Sequence, residues 1–254
     1  MPTTFSRILG ITISLFVLTG CPQPASGQAF ETVQVLPPGL YNRTLLRGKE
    51  PSIHYALSIP ANYSPPIPVP LILALHFGVG AGDAAGAGRS VLEILVRPAL
   101  AELAAIIVAP DSVRGDWSTP ENERAVNDLL DGVLGSYSVD PKKIVVTGFS
   151  MGGAGAWHIA EKYPDRFSAV IPVSGRPPAS GAGWRLPVLA IHSRNDQVVP
   201  IGQTEARIAE LQKAGKRAEL IALTGIAHFE TYRFVEGLHR AVPWLREIWK
   251  QEDR

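Results

Sequence analysis

Ile144-Val145-Val146-Thr147-Gly148-Phe149-Ser150-Met151-Gly152-Gly153-Ala154-Gly155-Ala156-Trp157 is the stretch on which the reading of this chain turns. Ile144 to Thr147 is a short apolar run of strand type, and Met151 to Tyr163 carries a helical pattern. Between them lies Gly148-x-Ser150-x-Gly152, a serine on a sharp strand-to-helix turn. Such a turn needs small neighbours, because strand and helix must approach closely around it. The N–H of Met151, the residue after the serine, then points to where an oxyanion would form.

Working outward, short apolar segments alternate with longer helical ones. Strands are expected at Ile53–Ile59, Val69–Leu75, Ala105–Ala109, Ala169–Val173, Val188–His192 and Glu219–Leu223. The first alternates only loosely, as an antiparallel strand near a sheet edge does. Helices are expected at Arg89–Ala104, with a kink or split at Pro98, from Thr119-Pro120 towards Tyr137, at Gln203–Ala214 and at Tyr232–Lys250. The pattern predicts an α/β fold, a mostly parallel sheet with helices on both faces. In such sheets the chemistry sits beyond the carboxyl ends of the strands.

A serine hydroxyl is a weak nucleophile until a base takes its proton, and a carboxylate must fix the tautomer of that base. With the nucleophile on a strand–turn–helix elbow the chain order is serine, acid, histidine. Downstream of Ser150 lie His158, His192, His228 and His239. His158 is two turns into the helix and points away. His192 ends a strand, but no later strand remains to supply an acid and then a second histidine. His239 is inside the last helix. His228 lies in a loop between the last strand and the last helix and is the candidate base. The acid must fall between, after a strand, and Asp196 in His192-Ser193-Arg194-Asn195-Asp196 fits. Asp165 reads as a turn residue, and Glu205 and Glu210 as solvated helix positions.

These segments, with Tyr163-Pro164-Asp165-Arg166-Phe167 and Pro172-Val173-Ser174-Gly175, resemble the α/β-hydrolase superfamily. Within it, the chain is similar to secreted carboxylesterases of the phospholipase/carboxylesterase, feruloyl-esterase and polyhydroxybutyrate-depolymerase type, and to single-domain relatives of prolyl oligopeptidase. The similarity runs from about Tyr55 to Trp249. It implies an α/β-hydrolase fold, serine-esterase activity on a small-molecule or polymeric ester, and Ser150, Asp196 and His228 as nucleophile, acid and base. It implies no cofactor and no metal. The family's oxyanion loop falls on Leu75-His76-Phe77-Gly78-Val79-Gly80, which gives Gly78 as the second donor, Phe77 as the alternative, and His76 a structural role. Phenylalanine stands where a glycine is usual, but any non-proline residue offers an N–H. The resemblance also places Asp111, a loop cap in our reading, and Trp117 near the pocket. Trp117 and Trp184 are candidate substrate walls. The stretch between Val173 and Val188 is too short for a large lid, so an open cleft is expected. A peptidase and a non-catalytic surface protein on the same scaffold are the rival readings.

Composition bounds the rest. The chain has 254 residues, 46% hydrophobic and 19% charged, with 24 glycines and 22 prolines. This suits one globular domain with many tight connections. A net charge of +1 leaves no footprint for nucleic acid, and one cysteine permits neither an internal disulfide nor a Cys-based zinc site. Arg7 precedes an apolar run from Ile8 to Leu18, about half of what a bilayer span needs, which reads as an export signal. Leu18-Thr19-Gly20-Cys21 resembles a bacterial lipobox, which implies a lipid anchor at Cys21 and a cell-envelope location. Cleavage after Gly27-Gln28-Ala29 would instead release a secreted protein. The expected layout is a signal over 1–20, a tether over 21–31 and a catalytic domain over 32–254.

Overall fold

A computed structural model describes Met1, residues 34–80 and residues 84–252. Apart from Met1, the expected signal, Cys21 and the tether lie outside the described residues.

Eight strands form one sheet in the order β1-β2-β4-β3-β5-β6-β7-β8. They are β1 (Gly39–Arg47), β2 (Glu50–Ile59), β3 (Val69–Leu75), β4 (Ile106–Pro110), β5 (Val139–Phe149), β6 (Ala169–Val173), β7 (Val188–Ser193) and β8 (Ala218–Leu223). β2 runs antiparallel to β1 and to β4, and the remaining neighbours are parallel. β1 is a strand that the sequence reading does not contain. It is a half-exposed edge, and only its register against β2 reveals it.

The central strands are apolar on both sides because both faces are covered. Leu71, Leu73, Leu75 and Val146 face α3 (Pro120–Ser136), α4 (Met151–Lys162) and α5 (Gly202–Lys213). Ile72, Ala74 and Val145 face the other layer, built from α1 (Ala87–Val91), α2 (Arg97–Leu100), α6 (Val235–His239) and α7 (Ala241–Glu252). Thr119 caps α3 by accepting from the Asn122 N–H at 3.3 Å, with Pro120 at the first position.

Two expected helices are broken by prolines. The helix expected over 89–104 becomes α1, a π-helical turn at Leu92–Val96, α2 and a 3₁₀ turn at Ala101–Leu103. Pro98 has no N–H to give the Ile94 carbonyl, so the turn before it widens. The final helix becomes a 3₁₀ turn at Thr231–Phe234, then α6 and α7, with Pro243 in the first turn of α7. Among the described residues, the connection from Val173 to Val188 carries no helix. No described helix is long and apolar enough to cross a membrane.

Candidate active site

The parallel order brings the carboxyl ends of β5, β7 and β8 to one edge, where three loops meet. Ser150 has φ 57° and ψ −114°, a left-handed conformation that costs a non-glycine residue on the order of 1–3 kcal/mol. Its neighbours show why the turn needs glycine. A Cβ on Gly148 would lie 2.3 Å from the Gly152 carbonyl oxygen, and one on Gly152 would lie 2.0 Å from that of Leu75. The Ser150 N–H donates to the Val173 carbonyl at 2.9 Å, which ties the turn to β6.

His228 follows β8 and is buried beside Phe149, whose ring centroid is 5.2 Å away. Its Nδ1 lies 2.7 Å from Asp196 Oδ2 and its Nε2 2.8 Å from Ser150 Oγ. An ionised carboxylate only accepts, so Nδ1 carries the proton and Nε2 accepts from the serine hydroxyl. Asp196 is sealed from solvent, and its Oδ1 accepts from the N–H groups of Val198 and Val199 at 2.9 and 2.8 Å. Burial pushes the Asp196 carboxyl up. The hydrogen bond from His228 and the N–H of Val199 outweigh it and hold the group below the usual carboxylate value.

The acid and base loops are stapled together. Ser193 Oγ donates to the Ile226 carbonyl at 2.6 Å, and the Gly225 N–H donates to Asn195 Oδ1 at 2.6 Å. Asn195, unsuited to be the acid, joins the two loops. Ser150, Asp196 and His228, the three positions singled out in the sequence, are thus brought into one hydrogen-bonded chain.

The other histidines and acids lie elsewhere. His158 contacts Glu123 at 2.7 Å, and His239 bonds to the Ala99 carbonyl at 3.0 Å. Asp165 pairs with Arg185 at 2.6 Å, Glu205 with Arg194 at 2.7 Å, and Glu210 with Arg207. Asp111 accepts from the N–H groups of Gly86 and Gly88 at 2.8 Å each, the loop cap expected of it.

Phe77, Gly78 and Met151 line a cavity of about 500 Å³ together with Ser150 and His228. His76 steadies this loop. Its Nε2 accepts from the Ser112 N–H at 3.0 Å, so Nδ1 donates to the Phe77 carbonyl at 2.6 Å. Acceptance at Nε2 needs a neutral ring, and burial lowers the His76 pKa, against the bond to the Phe77 carbonyl.

Trp117 and Trp184 are not brought to the cavity. They are 1% and 2% exposed. Trp117 packs against Gly155 of α4 and donates from Nε1 to the His76 carbonyl at 3.0 Å. Trp184 packs against Trp157 at 4.9 Å and donates to the Leu186 carbonyl at 2.6 Å. A buried indole with a carbonyl partner is core, and these two support the loops from beneath. The walls are instead Ile94, Phe149, Val198, Phe229 and Tyr232. Phe229 is 85% exposed and Ile94, Val198 and Tyr232 are also exposed, so the serine is ringed by open apolar surface. The signal for them was an aromatic directly after the candidate base, in a loop with little core to enter. Among the described residues, no group of three or more His, Cys, Asp or Glu side chains is placed to hold a metal.

The profile of the phospholipase/carboxylesterase family matches residues 108–242, a span that contains Ser150, Asp196 and His228. Feruloyl esterase C of Emericella nidulans is 30% identical over 168 residues, 61% of this chain and 62% of that protein. A protein named "Probable feruloyl esterase C" of Aspergillus niger is 30% identical over 150 residues, 58% of this chain and 56% of that protein. The match to these two curated relatives therefore spans 56 to 62% of their length. The solved structure of a thermostable esterase superposes with a TM-score of 0.65 at 22% identity, covering 82% of this chain and 62% of that one. That likeness establishes the fold, and the profile establishes the lineage: this chain belongs to the phospholipase/carboxylesterase family and has the α/β-hydrolase fold.

Proposed function

We propose that the protein hydrolyses carboxylic esters through an acyl-enzyme on Ser150. The observation that carries this reading is the unbroken chain from Ser150 Oγ through the His228 ring to the ionised Asp196. In this reading Nε2 of His228 takes the serine proton as Oγ attacks the ester carbonyl. The negative charge that develops on the carbonyl oxygen is met by the N–H groups of Met151 and Gly78, with Phe77 as the alternative donor. Asp196 offsets the charge on the imidazolium. The proton passes to the departing alcohol, and water cleaves the acyl-enzyme by the same route. The chemistry calls on no cofactor and no metal.

Among the described residues, those that line the cavity include no Asp, Glu, Lys or Arg, which favours an ester with an uncharged apolar group beside the scissile bond. Similarity to feruloyl esterases makes an aryl acid one such group. The protein is further read as exported, with residues 1–20 as the signal, Cys21 as the lipid attachment and residues 32–254 as the catalytic domain. The basis for that is sequence alone, and Cys21→Ala should shift the protein from the membrane to the soluble fraction.

The test is a p-nitrophenyl ester series from acetate to long chains, with methyl ferulate, on residues 32–254 beside the Ser150→Ala variant. Hydrolysis that vanishes in the variant supports the reading. Cleavage of peptide substrates without ester turnover would favour the peptidase, and neither activity with no fluorophosphonate labelling would favour a binding protein.

A further inference from the structure

One buried histidine beside the candidate triad has no part in the mechanism above. His192, at the end of β7, is 1% exposed, and its Nε2 lies 3.6 Å from Asp196 Oδ2, outside hydrogen-bond range. Nε2 instead lies 2.7 Å from the Val199 carbonyl, and Nδ1 lies 3.0 Å from Thr204 Oγ1. A carbonyl only accepts, so Nε2 carries the hydrogen, and in the neutral ring Nδ1 accepts from the threonine hydroxyl. The ring is neutral in this arrangement. Burial pushes its pKa down, with His228 acting the same way, against the Val199 carbonyl, Asp196 and Glu205.

Val199 is held at both ends of its backbone. Its N–H donates to Asp196 Oδ1 at 2.8 Å, while its carbonyl accepts from His192. The imidazole therefore grips the residue that grips the acid, and Thr204, in the first turn of α5, holds the ring from its other nitrogen. With its only N–H committed to Val199, the ring offers Asp196 no donor that competes with His228.

We propose that His192 is a positioning residue: held by Thr204, it sets the turn from Asp196 to Val199 and so aims Asp196 Oδ2 at His228 Nδ1. This rests on the triad reading above. His192 is not among the residues that line the cavity at Ser150.

The test compares His192→Leu, which has no donor, His192→Gln, which can keep one towards the Val199 carbonyl, and Thr204→Val. The readouts are kcat, KM, the acid limb of kcat/KM against pH, and the rate constant of fluorophosphonate labelling at Ser150. The titratable groups around the His228 ring are Asp196 at Nδ1, with His192 behind it, and Tyr232 in the lining of the same cavity.

His192→Leu is expected to lower kcat per labelled site by about tenfold or more, since small misplacements of a catalytic group cost that much. KM should stay within about twofold, and the acid limb should move to lower pH as the imidazolium loses its aligned partner. His192→Gln should recover most of kcat, and Thr204→Val should show a smaller loss in the same direction. The proposal is overturned if His192→Leu keeps kcat per labelled site and the acid limb of the wild type, or if its loss leaves the acid limb in place and glutamine gives no rescue. If His192→Leu does not fold, Thr204→Val decides: wild-type kcat and acid limb overturn the proposal. If the wild type cleaves no ester, the ester reading fails separately, and the same order of variants is read from the labelling rate.

Discussion

Asp196→Asn isolates the electrostatic link of the triad with almost no change of shape. In the wild type one carboxylate oxygen accepts two N–H groups and the other accepts His228 Nδ1–H. An amide has one oxygen to give. Turning its NH₂ towards Val198 and Val199 would set donor against two donors, so the oxygen stays there and the NH₂ faces His228. Nδ1 must then accept, the proton moves to Nε2, and Nε2 can no longer take the serine proton. By analogy with the same change in another triad the cost is about 10⁴ in kcat, or about 5.5 kcal/mol at about 1.36 kcal/mol per tenfold. The assay is p-nitrophenyl acetate hydrolysis at neutral pH, normalised to folded protein. A second readout is thermal stability against pH. The Asp196 carboxyl is held below its unfolded value, so its contribution is complete above about pH 4 and is lost as pH falls through the folded value. The asparagine cannot titrate, so the Tm difference between the two proteins should narrow on acidification. A variant within tenfold of the wild type would refute the tautomer argument.

Three further substitutions probe the elements around the triad. Gly152→Ala places a Cβ 2.0 Å from the Leu75 carbonyl oxygen, backbone against backbone, and should cost about 3 kcal/mol by chemical denaturation with loss of activity. Phe229→Ala removes the most exposed part of the apolar ring. It should leave Tm and acetate turnover near wild type but lower kcat/KM for long-chain or aryl esters by about tenfold, a side-chain burial worth. Trp184→Ala should destabilise by about 3–5 kcal/mol while kcat per fluorophosphonate-titrated site stays unchanged, as befits a core side chain and not a substrate wall.

Much of the fold was legible because its central strands are unbroken apolar runs. β3 and β6 have the bounds that their sequences indicate, since burial on both faces leaves no alternation to blur them. That Ser150, Asp196 and His228 meet was legible because each follows a strand and topology sends strand ends to one edge. β1 was not, because an edge strand with mixed exposure has no distinctive pattern without its partner. The fate of the aromatics was equally hidden. Trp117 and Trp184 go inward because carbonyls of His76 and Leu186 await their N–H groups, and Phe229 stays outside because its loop has committed the adjacent His228 to the interior. Those partners are tertiary, and spacing along the chain does not encode them locally.

The proposed reaction passes through a covalent ester intermediate on Ser150. The most direct test is mass spectrometry of acid-quenched protein during turnover of a p-nitrophenyl ester, with mapping of the tryptic peptide from Ile144 to Lys162 that carries the serine. One acyl group is expected on that peptide at Ser150, and none in Ser150→Ala. Steady ester turnover with an acyl group on another residue, or turnover that survives in Ser150→Ala, would contradict it.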